Sequence, residues 1–281
     1  MQTLRKVLKR KTALIGAVIL LIFFLTALVG PFLCAYDPLA TNPVRKYEQP
    51  SAAHILGTDY LGRDVFTRMV YGARVSLSIS FLGVLSGALV GIVLGLLAGY
   101  YGKWIDTLIS RFLDVLLAFP GLLLAIMIVA MLGKGIENTI IAVAVFSVPS
   151  IARLIRGITI SLRESEYLQA CRAMGATDFR IIFFHILPNT VSQIIVSVTL
   201  NLGTAILTAS SLSFLGLGVQ PPSPEWGAML SSAREVIRTY PMASIVPGVM
   251  ITLVVLSFSM FGDGLRDALD PKLQYRFRGN T

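Results

Sequence analysis

The sequence is short of charge and of the residue types that usually build catalytic or metal sites. Asp, Glu, Lys and Arg together make up 14% of its 281 residues, whereas soluble domains average about 25%. Two cysteines and two histidines exclude a disulfide framework and a histidine-rich metal centre. The phosphate-loop pattern G-x-x-x-x-G-K-[ST] is missing, so the chain is not expected to bind ATP through such a loop. No catalytic residue, metal site or cofactor is therefore predicted in this chain.

What the sequence has in quantity is apolar residues. They make up 55% of the chain, and the longest apolar runs exceed the roughly 18 residues that indicate a membrane span. We predict an all-α membrane protein with six transmembrane helices, at residues 13–34, 75–100, 108–132, 139–155, 190–215 and 243–261. The last five spans, with their loops, form a five-helix core over residues 74–262.

The distribution of Lys and Arg predicts which side each loop faces. Because the number of spans is even, both termini lie on one side of the membrane, and the 160–188 loop lies on that side too. This side carries 16 of the 24 Lys and Arg residues. The other eight are Arg45, Lys46, Arg63, Arg68, Arg74, Lys134, Arg234 and Arg238. Because cytoplasmic loops are enriched in Lys and Arg, residues 1–12, 160–188 and 263–281 are predicted to be cytoplasmic. Residues 35–73 and 216–242 are then extracytoplasmic loops.

Several features of the spans predict how the helices pack. Glycine recurs every fourth residue from Gly83 to Gly99, and such a stripe lets helix backbones approach closely. Arg111 and Asp114 share a helix face, so we expect them to pair near the cytoplasmic edge, and the alternative is that they line the vestibule. Pro120 predicts a kink in the third span.

The fifth span contains the polar residues that could line a pathway. Asn201, Thr204, Thr208 and Ser211 cluster within it. Hydroxyl side chains in a span can bond their own backbone or a neighbouring helix, and they can also face a polar route. We assign these four residues to a translocation pathway and leave the backbone-bonding alternative open.

Two polar segments outside the spans have recognisable local patterns. Asp59, Arg63, Asp64 and Arg68 are expected to pair and to hold the first loop in shape. In the other loop, Ser223 before Pro224 is a helix-start signal. The predicted helix ends near Arg238, with Pro221, Pro222 and Trp226 against the membrane surface.

The segment from Glu164 to Pro188 is a polar island between two apolar spans. Good helix formers run from Glu164 to Met174, and Gly175 suits the left-handed turn that ends a helix. Thr177 or Asp178 can cap a second helix, which Pro188 should disturb. The sequence therefore predicts a short helix, a sharp turn and a second helix outside the bilayer.

This segment resembles the EAA loop of ABC importer permeases. Gln169-Ala170-Cys171, Gly175 and Leu187-Pro188 have the family's spacing, although Gln169 replaces its usual Glu and His185 its usual Ile. The resemblance implies a type I importer fold in which the short helix couples the permease to a cytoplasmic ATPase. It also implies the coupling surface, which consists of Glu166, Gln169, Ala170, Arg172, Ala173, Gly175 and Ala176.

Two further motifs resemble permeases of the dipeptide, oligopeptide and nickel importer group. They are L-G-T-D-x-L-G-R-D-x-F-x-R at 56–68 and S-F-L-G-L-G-x-Q-P-P-x-P-E-W-G at 213–227. Chains of this group, including C-type dipeptide permease subunits, are similar over most of this sequence. The resemblance implies a second permease chain, two ATPase subunits that use ATP and Mg²⁺, and an extracytoplasmic solute-binding protein. No nucleic-acid partner is expected, since the excess of Lys and Arg in the predicted cytoplasmic segments accounts for the net charge of +9.

The resemblance therefore predicts a permease subunit of a binding-protein-dependent importer in a bacterial cytoplasmic (inner) membrane. Its solute would be a di- or oligopeptide or a related small peptide such as glutathione. A nickel or metal-complex importer of the same group is one alternative. An ion-gradient-driven secondary transporter is the alternative from another class, but the inverted repeat typical of that class is not found.

Overall fold

The computed structural model describes residues 10–269, which fold into helices. Within these residues no β-strand forms, and a single antiparallel bridge joins Thr58 to Asp64. Most of the predicted N-terminus (1–9) and of the predicted tail (270–281) lies outside the described residues. The α-helices are α1 (Lys11–Leu33), α2 (Val65–Tyr101), α3 (Lys103–Ala118), α4 (Gly121–Leu132), α5 (Ile136–Arg163), α6 (Glu166–Ala173), α7 (Asp178–Arg180), α8 (Leu187–Phe214), α9 (Trp226–Ser232) and α10 (Met242–Leu269). Short 3₁₀ turns cover Pro43–Arg45 and Arg234–Val236, and a π-helical segment covers Ile181–Ile186.

The helices confirm an all-α fold with enough apolar length to span a membrane five or six times. Five are long and apolar enough: α1, α2, α5, α10 and the continuous run from α7 through α8. The sixth candidate is α3 with α4, which meet at an angle of 94°. The predicted third span is therefore broken and not merely kinked. Phe119 is extended because it precedes a proline, and Pro120 then begins α4 as its N-cap.

Helices α2, α5 and α10 extend beyond their predicted ends into segments expected to be loop or tail, and α5 continues to Arg163. α2 begins at Val65, inside the predicted 35–73 loop, because the Asp64 carboxylate accepts a hydrogen bond from the Thr67 amide at 2.7 Å and caps the helix. α10 continues to Leu269, seven residues into the predicted tail. Leu265 packs there against Ala13 of α1.

The glycine stripe of α2 is the packing face that the sequence predicted. A β-carbon at Gly95 would lie 2.6 Å from the Ala152 carbonyl oxygen and 2.8 Å from the Ile155 β-carbon. A β-carbon at Gly91 would lie 3.0 Å from the backbone of α5. Because contacts this short leave no room for a side chain, α2 and α5 touch backbone to backbone along this stripe.

The predicted charge cluster does hold the first loop in shape. The Asp59 carboxylate accepts a hydrogen bond from Arg63 Nε at 2.7 Å and lies 3.5 Å from Arg68 Nε. The side chains of the two arginines are only 3% and 5% exposed. Asp64 also contacts Nδ1 of buried His54 at 2.9 Å. One carboxylate, that of Asp59, thus compensates two buried guanidinium groups.

We expect Asp59→Asn to destabilise the protein strongly. The amide keeps an acceptor oxygen for the Leu61 and Arg63 amides but leaves two buried cations without their anion. Removing one partner of a buried ion pair costs about 3 kcal/mol or more, which lowers the melting midpoint by roughly 5–10 °C. Thermal melting in detergent measures this, with Asp37→Asn in the exposed part of the loop as the matched control. Equal midpoints for the two variants would contradict the role assigned to Asp59.

Candidate functional site

The short helix α6 ends in a turn that only glycine adopts easily. Gly175 has φ of +82°. Its amide donates to the Arg172 carbonyl at 2.9 Å, and the Ala176 amide donates to the Cys171 carbonyl at 3.1 Å. This pair of bonds is the Schellman arrangement, which satisfies the last carbonyls of a helix. The predicted helix end at Gly175 is confirmed.

The helix that follows the turn is longer and more continuous than predicted. Thr177 caps it, since its hydroxyl accepts a hydrogen bond from the Arg180 amide at 3.4 Å. Pro188 does not interrupt the chain's helical course. Instead, the π-helical segment 181–186 widens the helix directly before it, which accommodates a residue that lacks an amide donor. α7, this segment and α8 form one run of 37 residues.

α6 is held against the ends of the long helices by a small set of contacts. Leu168 is buried in a cluster with Tyr100 of α2 and Ile155 of α5. The Tyr100 hydroxyl donates to the Asp178 carboxylate at 2.6 Å, and the Arg172 guanidinium lies 5.1 Å from the centre of the Tyr100 ring. The sequence did not reveal Tyr100, because it lies more than 60 residues before the loop and looks like the end of an apolar span.

The structure brings the seven predicted coupling residues together on and just after α6. Exposed to solvent are Glu166, Gln169, Ala170, Arg172, Ala173 and Gly175. Ala176 is instead partly buried against the cluster that contains Leu168. Two apolar side chains that the sequence did not single out, Met174 (79% exposed) and Phe179 (64% exposed), flank this surface. Exposed apolar residues in a group are typical of a protein-binding surface.

The predicted pathway residues lie along α8 but are not equally accessible. Thr204 is exposed, Asn201 and Ser211 are half-buried, and Thr208 is 8% exposed. The Thr208 and Ser211 hydroxyls donate to backbone carbonyls one turn earlier, at 2.9 and 2.7 Å. The backbone-bonding alternative is therefore observed, while the hydroxyl oxygens keep their acceptor capacity.

The ion pair predicted between Arg111 and Asp114 is not the one that forms. Asp114 of α3 accepts a hydrogen bond from Arg153 of α5 at 2.9 Å. Asp106, two turns earlier on α3, pairs with Arg156, whose Nη2 lies 2.7 Å from the carboxylate. The spacing of residues in the sequence predicts neighbours within α3 only. The packing of α3 on α5 brings Arg153 to Asp114, and this contact could not be read from that spacing. Within residues 10–269, no three His, Cys, Asp or Glu side chains are grouped so that they could hold a metal ion.

The predicted helix of the 216–242 loop is shorter and more buried than expected. It begins at Trp226, and its cap is Glu225 rather than Ser223, with the Ala228 amide 2.8 Å from the Glu225 carboxylate. Trp226 does not lie at the membrane surface, because it is 1% exposed and donates from Nε1 to the Met69 carbonyl at 3.0 Å. Gly72 of α2 makes room for its ring.

Glu225 carries a carboxylate deep between helices, which makes its titration a test of the fold. The Ser76 hydroxyl donates to it at 3.1 Å, but burial dominates and raises its pKa above the ordinary 4.5. The folded state then holds the proton more tightly than the unfolded state. Stability should therefore fall as the pH rises from about 4.5 through the folded-state pKa.

We expect Glu225→Gln to remove this pH dependence. The amide keeps an oxygen for the Ala228 amide and cannot ionise, so its melting midpoint should change less than that of the wild type between pH 5 and pH 8. Glu225→Ala loses the cap and leaves buried donors unsatisfied, which costs about 1–3 kcal/mol. Melting curves at both pH values check both expectations. A wild-type midpoint that rises with pH would contradict them.

Comparison with known proteins identifies the family. Residues 91–275 match the model of the binding-protein-dependent transport system inner membrane component, and residues 1–50 match the N-terminal TM domain of oligopeptide transport permease C. The dipeptide transport system permease protein DppC of Alkalihalophilus pseudofirmus is 52% identical, over 97% of this chain and 90% of the relative. The glutathione transport system permease protein GsiD of Pectobacterium atrosepticum is 49% identical, over 96% and 90%.

A solved structure shows the same fold at low identity. The inward-facing MetNI methionine ABC transporter aligns with a TM-score of 0.58 and 19% identity, over 72% of this chain and 96% of that chain. The two family models and the relatives are all transport permeases, and the fold is that of an ABC transporter. The chain belongs to the family of inner membrane components of binding-protein-dependent transport systems, and it is a permease subunit of an ABC importer.

Proposed function

We propose that this permease subunit imports di- or oligopeptides, or a related small peptide such as glutathione. The support is that two relatives of about 50% identity, which cover nearly the whole chain, are named as dipeptide and glutathione permeases. Solute selectivity among these peptides belongs largely to the extracytoplasmic binding protein that delivers them.

The proposed topology places the α6 loop and both termini in the cytoplasm. The end of α2, the end of α5 and the start of α7 lie together, since Tyr100 contacts Asp178 and Arg163 Nη1 donates to the Tyr100 carbonyl at 3.3 Å. This end of the molecule carries the cation-rich segments, and cations favour the cytoplasmic side. Residues 35–64 and 215–241 then face outward, toward the binding protein, in a bacterial inner membrane.

The observation that carries the proposed mechanism is the exposed surface around α6. A short helix has its apolar side buried through Leu168 and Cys171, yet Met174 and Phe179 beside it remain uncovered. We assign this surface, with the seven coupling residues, to a cytoplasmic ATPase subunit. ATP and Mg²⁺ bind to that subunit, and ATP binding there biases the permease toward one of its two states.

The proposed assembly contains a second, related permease chain, two ATPase subunits and a solute-binding protein. The test is to purify the tagged chain from its native host in mild detergent and to identify the chains that co-purify. We expect ATPase subunits and a second permease, with the ATPases lost when residues 164–178 are scrambled. Scrambling the exposed 37–46 segment is the control and should retain them. Recovery of the chain alone, under conditions that preserve other membrane complexes, would favour a secondary transporter.

A further inference from the structure

An exposed ion pair lies between the middle of the helical bundle and the end that carries α6. Arg153 of α5 and Asp114 of α3 are 2.9 Å apart, and their side chains are 58% and 51% exposed. Arg153 is one turn beyond Ser150, roughly 5 Å along the helix axis, and Ser150 contacts Asn201 at the midpoint of α8. Ala152, next to Arg153, packs on Gly95 near the α6 end of α2. Both residues of the pair are still within the predicted spans 108–132 and 139–155, on the half nearer to α6.

Lipid is an unfavourable neighbour for such a pair. Charged side chains within spanning helices are costly and almost always face protein or a water-filled cavity. The pair is open to its surroundings on one side of the chain, so that side must be covered by water or by another polar surface.

On the same side of the chain, α8 also carries polar residues. Ser150, one turn from Arg153 on α5, has its hydroxyl oxygen 3.2 Å from the Asn201 side-chain oxygen, and Asn201 is at the midpoint of α8. Along α8, polar residues recur at spacings of four and three, which places them on one helix face. They are Ser197, Asn201, Thr204, Thr208 and Ser211. Ser150 and Asn201 thus adjoin the ion pair, and the polar face continues along α8, with Thr208 buried within it.

We propose that Asp114 and Arg153 form a charge-exchange site for a zwitterionic solute on the wall of the translocation pathway. The inference rests on the proposed peptide transport and adds to it the residues that meet the solute inside the membrane. The Arg153 guanidinium binds the solute carboxylate, for which its paired N–H groups are suited. Asp114 accepts the solute ammonium group. Each charge exchanges its intramolecular partner for one on the solute, so neither is left uncompensated.

This site discriminates by charge pattern. A solute with separated positive and negative ends replaces both halves of the pair. A bare divalent cation satisfies Asp114 alone and is repelled by Arg153, so the site favours the peptide over the nickel alternative. The walls of Ser, Thr and Asn offer acceptors without adding net charge.

The first experiment asks whether this face meets water. Cys34 and Cys171 are replaced by serine and alanine, and single cysteines are introduced as Ser150→Cys, Thr204→Cys and Leu21→Cys. Leu21 is the control, because it is at the middle of α1 and 58% exposed on an apolar helix. We expect a charged methanethiosulfonate reagent to label the first two at least about tenfold faster than the third in native membranes, since only water carries the reagent to them. Equal rates at all three positions would overturn the proposal.

The second experiment asks whether the pair recognises solute charges. Saturating uptake of a free dipeptide and of its C-terminally amidated form is compared in cells that contain the complete importer. The binding protein is unchanged, so a changed preference arises in the permease. We expect Arg153→Gln to lower uptake of the free dipeptide about tenfold and to bring the free-to-amidated ratio close to one, because the guanidinium no longer binds the carboxylate. Arg153→Lys should recover part of the uptake and part of the preference for the free dipeptide. Asp114→Asn should reduce uptake of an N-acetylated dipeptide least, because that solute has no ammonium group for Asp114 to bind.

A purely structural ion pair predicts a different outcome. In that case the exchange Asp114→Arg with Arg153→Asp would restore full uptake with the wild-type preference, and this result would overturn the proposal. The proposal would also be overturned if the wild-type importer takes up the free dipeptide and Arg153→Gln has the same free-to-amidated uptake ratio as the wild type. If the wild-type importer takes up no peptide of either form, the proposed function itself fails and the zwitterion site fails with it. If Arg153→Gln does not assemble with its partner chains, the Arg153→Lys ratio and the labelling rates decide.

Discussion

Replacing Gly95 with leucine is expected to prevent folded protein from accumulating in the membrane. The β-carbon alone would lie 2.6 Å from the Ala152 carbonyl oxygen and 3.0 Å from the Arg156 amide nitrogen. Both neighbours are backbone atoms of α5 and cannot rotate away. The helices must therefore separate along the face on which α2 and α5 touch, and close packing is the main force that joins helices within a bilayer.

The measurement is the amount of monodisperse protein after detergent extraction, followed by fluorescence of a C-terminal fusion on size exclusion. Gly248→Leu is the matched control, because a β-carbon at Gly248 of α10 has no neighbour within 4 Å. We expect the control to elute like the wild type and Gly95→Leu to be aggregated or absent. A normal elution profile for Gly95→Leu would show that α2 and α5 can separate without loss of the fold.

Replacing Gly175 with valine is expected to uncouple transport from ATP hydrolysis while the protein inserts normally. A β-carbon at Gly175 meets nothing within 4 Å, so crowding is not the cause. The cause is the backbone, since φ of +82° is strained by about 1–3 kcal/mol for a residue other than glycine and most of all for a β-branched one. Relief of that strain changes the turn and moves α6 from its position, in which Leu168 packs against Tyr100 and Ile155.

We expect peptide uptake by Gly175→Val to fall at least about tenfold, since roughly 1.4 kcal/mol corresponds to a factor of ten. Gly175→Asn separates the two explanations, because asparagine tolerates the left-handed conformation and adds a side chain of similar size. It should retain most of the uptake. If asparagine and valine reduce uptake equally, side-chain bulk at the docking surface matters and the turn conformation does not.

The features that the sequence predicted well depend on neighbours along one helix or turn. The glycine stripe of α2 is visible because residues four apart share a face. Gly175 could be assigned because the positive φ at a helix end depends on a few adjacent residues. The EAA-like spacing around Gly175 is likewise local, and the family that it indicated is the one whose model matches residues 91–275. The coupling role of its residues stays a prediction.

The features that it predicted wrongly depend on contacts between distant segments. Asp114 was assigned to Arg111, three residues away, but Arg153 arrives from another helix. Trp226 looked like an interfacial anchor, and its burial depends on the space at Gly72, more than 150 residues earlier. Pro120 predicted a bend but not its size of 94°, because proline removes a hydrogen bond and the packing of α3 and α4 decides the angle.

The uninterrupted run from Asp178 to Phe214 also has a mechanical consequence. Its 37 residues make a rod about 55 Å long at a rise of about 1.5 Å per residue, so pivoting the rod by about 5° at Asp178 carries Phe214 sideways by about 5 Å. The Phe214 carbonyl accepts a hydrogen bond from the Ser231 hydroxyl at 2.8 Å, which ties α9 to the far end of the rod. A small tilt of this rod about its end beside α6 would therefore displace its far end by several ångströms, and α9, which is hydrogen-bonded to that end, would be displaced with it.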